Sequence, residues 1–176
     1  MNEHYLPPIA RIYDLASLSN AGDELVIEAS IEERKAIAHW ADIAGLESFR
    51  AKVTLTRRSQ NRFMYEAVLD ADVVQTCVVS LEPVPSHIAR QVKRELHVVH
   101  ALRRDKVTAE QSLAAGDDDG PEDIDSPRYD LAAPLLEEFS LGLDPYPRAS
   151  GVTFDSPDGD DKPPSPFAVL AKLKKG

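Results

Sequence analysis

The chain has 176 residues, with 30 acidic and 20 basic side chains and a formal net charge of −10. That length fits one domain able to bury a substantial core, and the acidic balance argues against general nucleic-acid binding, which works by neutralising phosphates. The single cysteine, Cys77, excludes an internal disulfide and fits a reducing compartment.

No apolar stretch approaches the roughly 20 residues that span a bilayer. Met1 to Ala10 lacks a charged-then-apolar leader. The expected location is therefore cytoplasmic, with no membrane partner. The charge is unevenly placed: residues 107–176 hold 15 acidic and 6 basic side chains, whereas residues 50–106 hold 6 acidic and 11 basic ones. A mildly basic body precedes an acidic second half.

In chain order, Ile9 to Tyr13 and Leu25 to Ala29 read as short strands. Ser30 followed three residues later by Glu33 forms a capping box, which starts a helix carrying Ile31, Ala36, Ile37, Trp40, Ala41 and Ile43 at helical spacing. Gly45 is expected to end it. Phe49 to Arg58 and Arg62 to Val74 alternate as strands. A two-residue loop would set the polar face of one against the apolar face of the other. A three-residue loop, Ser59-Gln60-Asn61, pairs Leu55 with Tyr65, Val53 with Ala67 and Arg50 with Asp70, with Asn61 in a left-handed conformation. Cys77 to Leu81 continues the apolar run, and Pro83 and Pro85 break it. Ile88 to Leu102 fits a strand better than a helix. Val107 to Arg128 reads as a loop. Leu131, Leu135, Leu136 and Phe139 make a second helical stripe, with Asp130 as its cap and Gly142 near its end.

The expected fold is α+β: an antiparallel sheet, open or partly closed as a small barrel, packed with two or three helices. It comprises one domain over 1–148 with a flexible acidic loop near 107–122. An acidic, Pro-rich flexible tail over 149–176 ends in the apolar-basic segment Phe167 to Lys175.

Candidate chemistry is sparse. Cys77 has no second cysteine with which to hold a metal and reads as a small buried hydrophobe. His97 and His100 would face opposite ways on a strand and not converge with His87. Asp117-Asp118-Asp119 lacks the ligand spacing of a calcium loop. Asp70 and Asp72 share a strand face with Glu66, and Arg50 and Lys52 across the hairpin suggest cross-strand ion pairs in place of acid–base work. No phosphate loop, dinucleotide fingerprint or nucleophile elbow occurs. No cofactor, metal or small-molecule substrate is expected. The basic residues Arg57, Arg58, Arg62, Arg90, Lys93, Arg94, Arg103 and Arg104 gather near a hairpin tip and the following strand, either as a solvated face or as a binding surface. Phe167 and Leu170, flanked by lysines, have the make-up of docking anchors.

Several stretches resemble one family. Gln75-Thr76-Cys77-Val78-Val79-Ser80-Leu81-Glu82-Pro83-Val84 is similar to the central motif of the YceD family, the large ribosomal RNA subunit accumulation proteins. Asp130-Leu131-Ala132, continuing through Leu135 to Glu138 and on to Leu141-Gly142-Leu143-Asp144-Pro145-Tyr146-Pro147-Arg148, resembles its second block. Pro166 to Lys174 resembles its closing motif, and Ser30 to Trp40 sits where the family has an early helix. The chain departs from many members in having Ser80 where they have a second cysteine, and no cysteine over 148–151, so any metal site of those members does not carry over. The resemblance implies a non-catalytic accessory role in synthesis, processing or accumulation of large-subunit rRNA. Its partners would be precursor rRNA, a basic ribosomal protein, or both. The alternative is an RNA-processing enzyme with an unrecognised active site. The candidate contacts are Arg57, Arg58, Arg62, Arg90, Arg94, Phe167 and Leu170.

Overall fold

The computed structural model describes residues 7–99 and 120–153. It contains β1 (Ile12–Asp14), a 3-10 turn (Leu15–Ser17), β2 (Asp23–Glu28), α1 (Ile31–Trp40), β3 (Gly45–Arg57), β4 (Arg62–Thr76), β5 (Pro83–Val98), β6 (Glu122–Ile124), β7 (Arg128–Asp130) and α2 (Ala133–Gly142). Five strands form one sheet in the order β2-β3-β4-β5-β6, antiparallel except for the β5–β6 pair, and β1 pairs with β7 in a separate ribbon. The class is α+β as expected. The sheet is open, so the partial barrel is not formed.

Alternation decides the packing. Phe49, Ala51, Val53 and Leu55 of β3, and Phe63, Tyr65, Ala67, Leu69, Ala71 and Val73 of β4, are all buried. They lie on one face because strand side chains alternate. The two helices cover that face, α1 against β3 and α2 against β5 and β4. Phe139 of α2 meets Phe49 edge-to-face at 5.5 Å between centroids; truncating either to alanine should cost about 3–5 kcal/mol. The Tyr65 hydroxyl is buried and donates to the Leu131 carbonyl at 2.9 Å, and burial raises its pKa. Phe63 is buried and Trp40 half-buried against the same core. A Cβ on Gly142 would meet Ile88 Cγ2 at 2.7 Å, so glycine is there to let the end of α2 approach β5.

The hairpin register is the expected one: Leu55 opposes Tyr65, Val53 opposes Ala67 and Arg50 opposes Asp70. Its loop differs. Asn61 keeps a negative φ, because its carbonyl accepts the Val98 amide at 2.8 Å and its side chain meets the His97 ring, turning it toward β5. The capping box is complete: Ser30 Oγ accepts the Glu33 amide, and the Glu33 carboxylate accepts the Ser30 amide. The helix ends before Gly45. Asp42 takes the left-handed position, with its amide on His39 and the Ile43 amide on Ala38, a Schellman arrangement that aspartate tolerates. Gly45 begins β3.

Three further elements differ from expectation. Cys77–Leu81 is a turn, and Pro83 and Pro85 begin β5 where they were expected to break the strand. The span read as loop contains β6 and the start of β7. Asp130 does not cap α2, whose N-cap is Ala132 without a side-chain bond; its carboxylate instead accepts the amides of Arg11 and Ala132, tying the N-terminal segment to the helix start. The loop at 107–119 and the tail from 154, with Phe167 and Leu170, lie outside the described residues. No helix among the described residues is long and apolar enough to cross a membrane.

Candidate functional site

The five candidate arginines do not form one surface. Arg57 lies at the hairpin tip, where its Nη2 donates to the carbonyls of Leu15, Ala16 and Leu18 at 3.1–3.2 Å. Its guanidinium stacks on the Phe63 ring at 5.1 Å. It therefore satisfies the open end of the 3-10 turn. Arg90 and Arg94 point to the α2 side of the sheet. Arg90 donates to the Leu141 carbonyl at 3.2 Å, at the negative end of the helix dipole. Arg94 pairs with Glu137 of α2 and reaches Glu122 of β6 at 3.5 Å. Arg62 is on the opposite, open face and pairs with Glu95 at 2.8 Å. Arg58 is exposed and its side chain has no hydrogen-bond or ion-pair partner among the described residues.

The open face gathers a second set. Asp72 accepts from Ser48 Oγ at 2.7 Å and meets His87 Nδ1 at 2.8 Å, and His87 Nε2 lies 3.7 Å from Asp70. The Ser48 hydroxyl, then His87, hold the Asp72 carboxyl below its ordinary range. The expected partners of these aspartates were Arg50 and Lys52; Lys52 instead pairs with Glu24 at 3.0 Å. The connection runs Ser–Asp–His, with the carboxylate in the middle, so the imidazole does not abut the serine as it does in a serine–histidine nucleophile pair. Asp70, Asp72 and His87 are more than half exposed on the sheet face, and Ser48 is half-buried. The β4–β5 register that puts His87 opposite Asp72 was the missing signal.

The third set joins two distant stretches. β4 runs into a turn in which the Cys77 amide donates to Glu82 O at 2.8 Å and the Leu81 amide to Cys77 O at 3.0 Å. Leu81 is left-handed (φ 62°) and 76% exposed. The Cys77 thiol is fully enclosed, and its Sγ accepts the amides of Val79, Ser80 and Ala149 at 3.3–3.4 Å. The Ser80 hydroxyl first, and then these amides, outweigh burial and bring the thiol to about 6. Gln75 exchanges side-chain bonds with the Asp144 backbone at 2.9 and 3.3 Å, and the Val78 amide donates to Pro147 O at 2.9 Å. The turn and the segment after α2 are thus one unit, with Val78, Leu81 and Tyr146 exposed on it. Cys77 was expected as a buried hydrophobe; it is buried but polar in its bonding.

Among the described residues no group of three His, Cys, Asp or Glu side chains is arranged to hold a metal ion. His97 bonds to Asp123 at 3.0 Å and to Asn61. No family model matches the chain, and neither the curated proteins nor the solved structures contain a match.

Proposed function

We propose that the protein is a non-catalytic accessory factor of the YceD type, acting in the synthesis, processing or accumulation of large-subunit rRNA by binding precursor rRNA or a basic ribosomal protein. The observation that carries this reading is the meeting of Gln75–Glu82 with Asp144–Ala149. These belong to two of the stretches on which the family resemblance rests, Ala149 lying just past the end of the second, and they are nearly seventy residues apart in sequence, yet bonded through Gln75, Val78 and Cys77. Motifs that converge in space act as one unit, and this unit presents apolar side chains in place of a cluster of acids and bases. Of the candidate arginines, Arg57, Arg90 and Arg94 are committed to internal bonds, which favours a protein partner over RNA at this sheet. Arg58 and Arg62 remain the candidate phosphate contacts.

A pull-down from lysate with and without ribonuclease separates the arms. Partners retained after ribonuclease support protein-mediated contact; partners lost support RNA. Arg58→Glu with Arg62→Glu should flatten the salt dependence of any RNA binding by about one unit of slope per contact. Normal large-subunit rRNA in cells lacking the protein would overturn the reading. The enzyme reading has one observation in its favour, the His87 cluster, and His87→Ala would abolish rRNA cleavage if that cluster were catalytic.

A further inference from the structure

Two strand edges face each other with no described residue between them. In the β1–β7 ribbon the Leu131 amide bonds to Arg11 O and the Leu15 amide to Pro127 O. By antiparallel alternation Arg11, Tyr13 and Leu15 turn their backbone groups toward β7, and Ile12 turns its own away. In β2, the Ala29 amide bonds to Phe49 O, so Leu25 and Ile27 bond to β3 while Glu24, Val26 and Glu28 point outward. These outward groups have no hydrogen-bond partner among the described residues. Both edges line a cleft of about 390 Å³, floored by Tyr13, Leu25, Ile27 and Leu131.

Side chains hold the cleft open at both ends. Tyr13 reaches across to Asp23 at one end, and Arg11 reaches Glu33 at the other with bonds of 2.7 and 2.9 Å. Ile12 and Val26, one on each lip, are 56% and 57% exposed. An unpaired edge with apolar neighbours is a template for another strand. The rim is acidic on balance: Asp14, Asp23, Glu24 and Glu28 lie along it, against Lys52, which pairs with Glu24, and Arg50, which stands opposite Glu28, while Arg11 is already paired with Glu33.

We propose that the cleft between β1 and β2 takes one extended strand of a basic partner protein, a segment with apolar residues at alternate positions and lysine or arginine between them. Its apolar residues would pack on Leu25, Ile27 and Leu131, and its cations would face Glu24, Glu28 and Asp14. The inserted strand would join the β1–β7 ribbon to the five-stranded sheet. The inference rests on edge pairing and rim charge alone, so it stands or falls separately from the ribosomal reading.

The test uses the full chain and a synthetic peptide of about nine residues alternating valine and lysine, a typical strand length. Binding should slow amide exchange at Ile12, Val26 and Glu28 and leave Leu25 and Ile27, already bonded to β3, unchanged. Val26→Pro removes an outward donor without touching the β3 ladder and should weaken binding by about tenfold. Glu24→Lys with Glu28→Lys should weaken it with the fold intact by circular dichroism, and a valine–glutamate peptide should not bind. Equal binding by the wild type and both variants, or protection elsewhere, overturns the proposal. So does protection already present in the free protein: if it depends on concentration the occupant is a second copy, and if Lys172→Glu with Lys174→Glu removes it the occupant is the chain's own 167–175 segment.

Discussion

β4 connects two unlike ends of the sheet. At the Arg62 end the hairpin tip is rich in cations, but they are not equally available: Arg57 is held on three carbonyls and a ring, Arg62 pairs with Glu95 at the surface, and Arg58 is exposed. At the Thr76 end the turn has few charges, a left-handed leucine, exposed Val78, Leu81 and Tyr146, and a thiol held by three amides. The end that looks like a binding surface by charge is in part structural, because Arg57 is committed to the fold. The end that looks like ordinary strand is strained and apolar toward solvent, which are features retained at sites that bind.

The largest expected effect tests the structural assignment of the hairpin tip. Arg57→Ala leaves three carbonyls and the Phe63 face without their partner, and should destabilise the protein by about 2–3 kcal/mol, read from the urea midpoint. An unchanged midpoint would return Arg57 to the pool of surface contacts. For this reason a variant that includes Arg57→Glu cannot report on RNA binding alone, and the double substitution at Arg58 and Arg62 is the cleaner probe.

Next is the thiol at the other end. Cys77→Ala strips an acceptor from three amides and should cost about 2 kcal/mol. Thiolate absorbance in the folded protein should titrate near pH 6. A thiol with a lowered folded-state pKa adds stability that is fully present above its unfolded value and is lost as pH falls through the folded value. The stability should therefore decline as pH falls from the ordinary thiol value of 9.0 to about 6 and level off below it. Enclosure should keep the thiolate slow toward alkylating reagents; rapid labelling would show that the turn opens.

Glu33 gives a smaller effect, away from both ends. The Ser30 amide first, and then Arg11, hold its carboxyl below the usual range. The sign is that of a depressed acid: its contribution is present above the ordinary glutamate pKa and lost as pH falls through the folded value. Glu33→Ala should cost about 1 kcal/mol near neutrality and nothing in strong acid, seen as converging thermal midpoints. The smallest effect is at Leu81. Leu81→Gly relieves a left-handed conformation worth about 1–2 kcal/mol, offset by about 0.5–1 kcal/mol of glycine flexibility, for a net gain of up to about 1.5 kcal/mol. A loss would mean that the leucine side chain packs in the free protein.

Local and periodic features were readable from the sequence. The capping box needs only Ser30 and Glu33 in one turn. The hairpin register follows from which faces of β3 and β4 must be buried together, and the fold class from strand alternation beside two apolar helical stripes. What tertiary structure alone decided is how distant groups meet. Arginine reads as charge in a sequence, but whether it serves solvent or a carbonyl depends on which backbone ends lie within reach; Arg57 meets the 3-10 turn some forty residues earlier. Cys77 became a polar acceptor because Ala149 brings an amide to it, and His87 met Asp72 because β4 and β5 pair in one register and no other. Asp42, in place of Gly45, ended the first helix because the chain had to turn at once into β3. The open cleft beside β2 follows from where β1 found its partner: it paired with β7, more than a hundred residues away, and left the edge nearest to it in sequence unpaired.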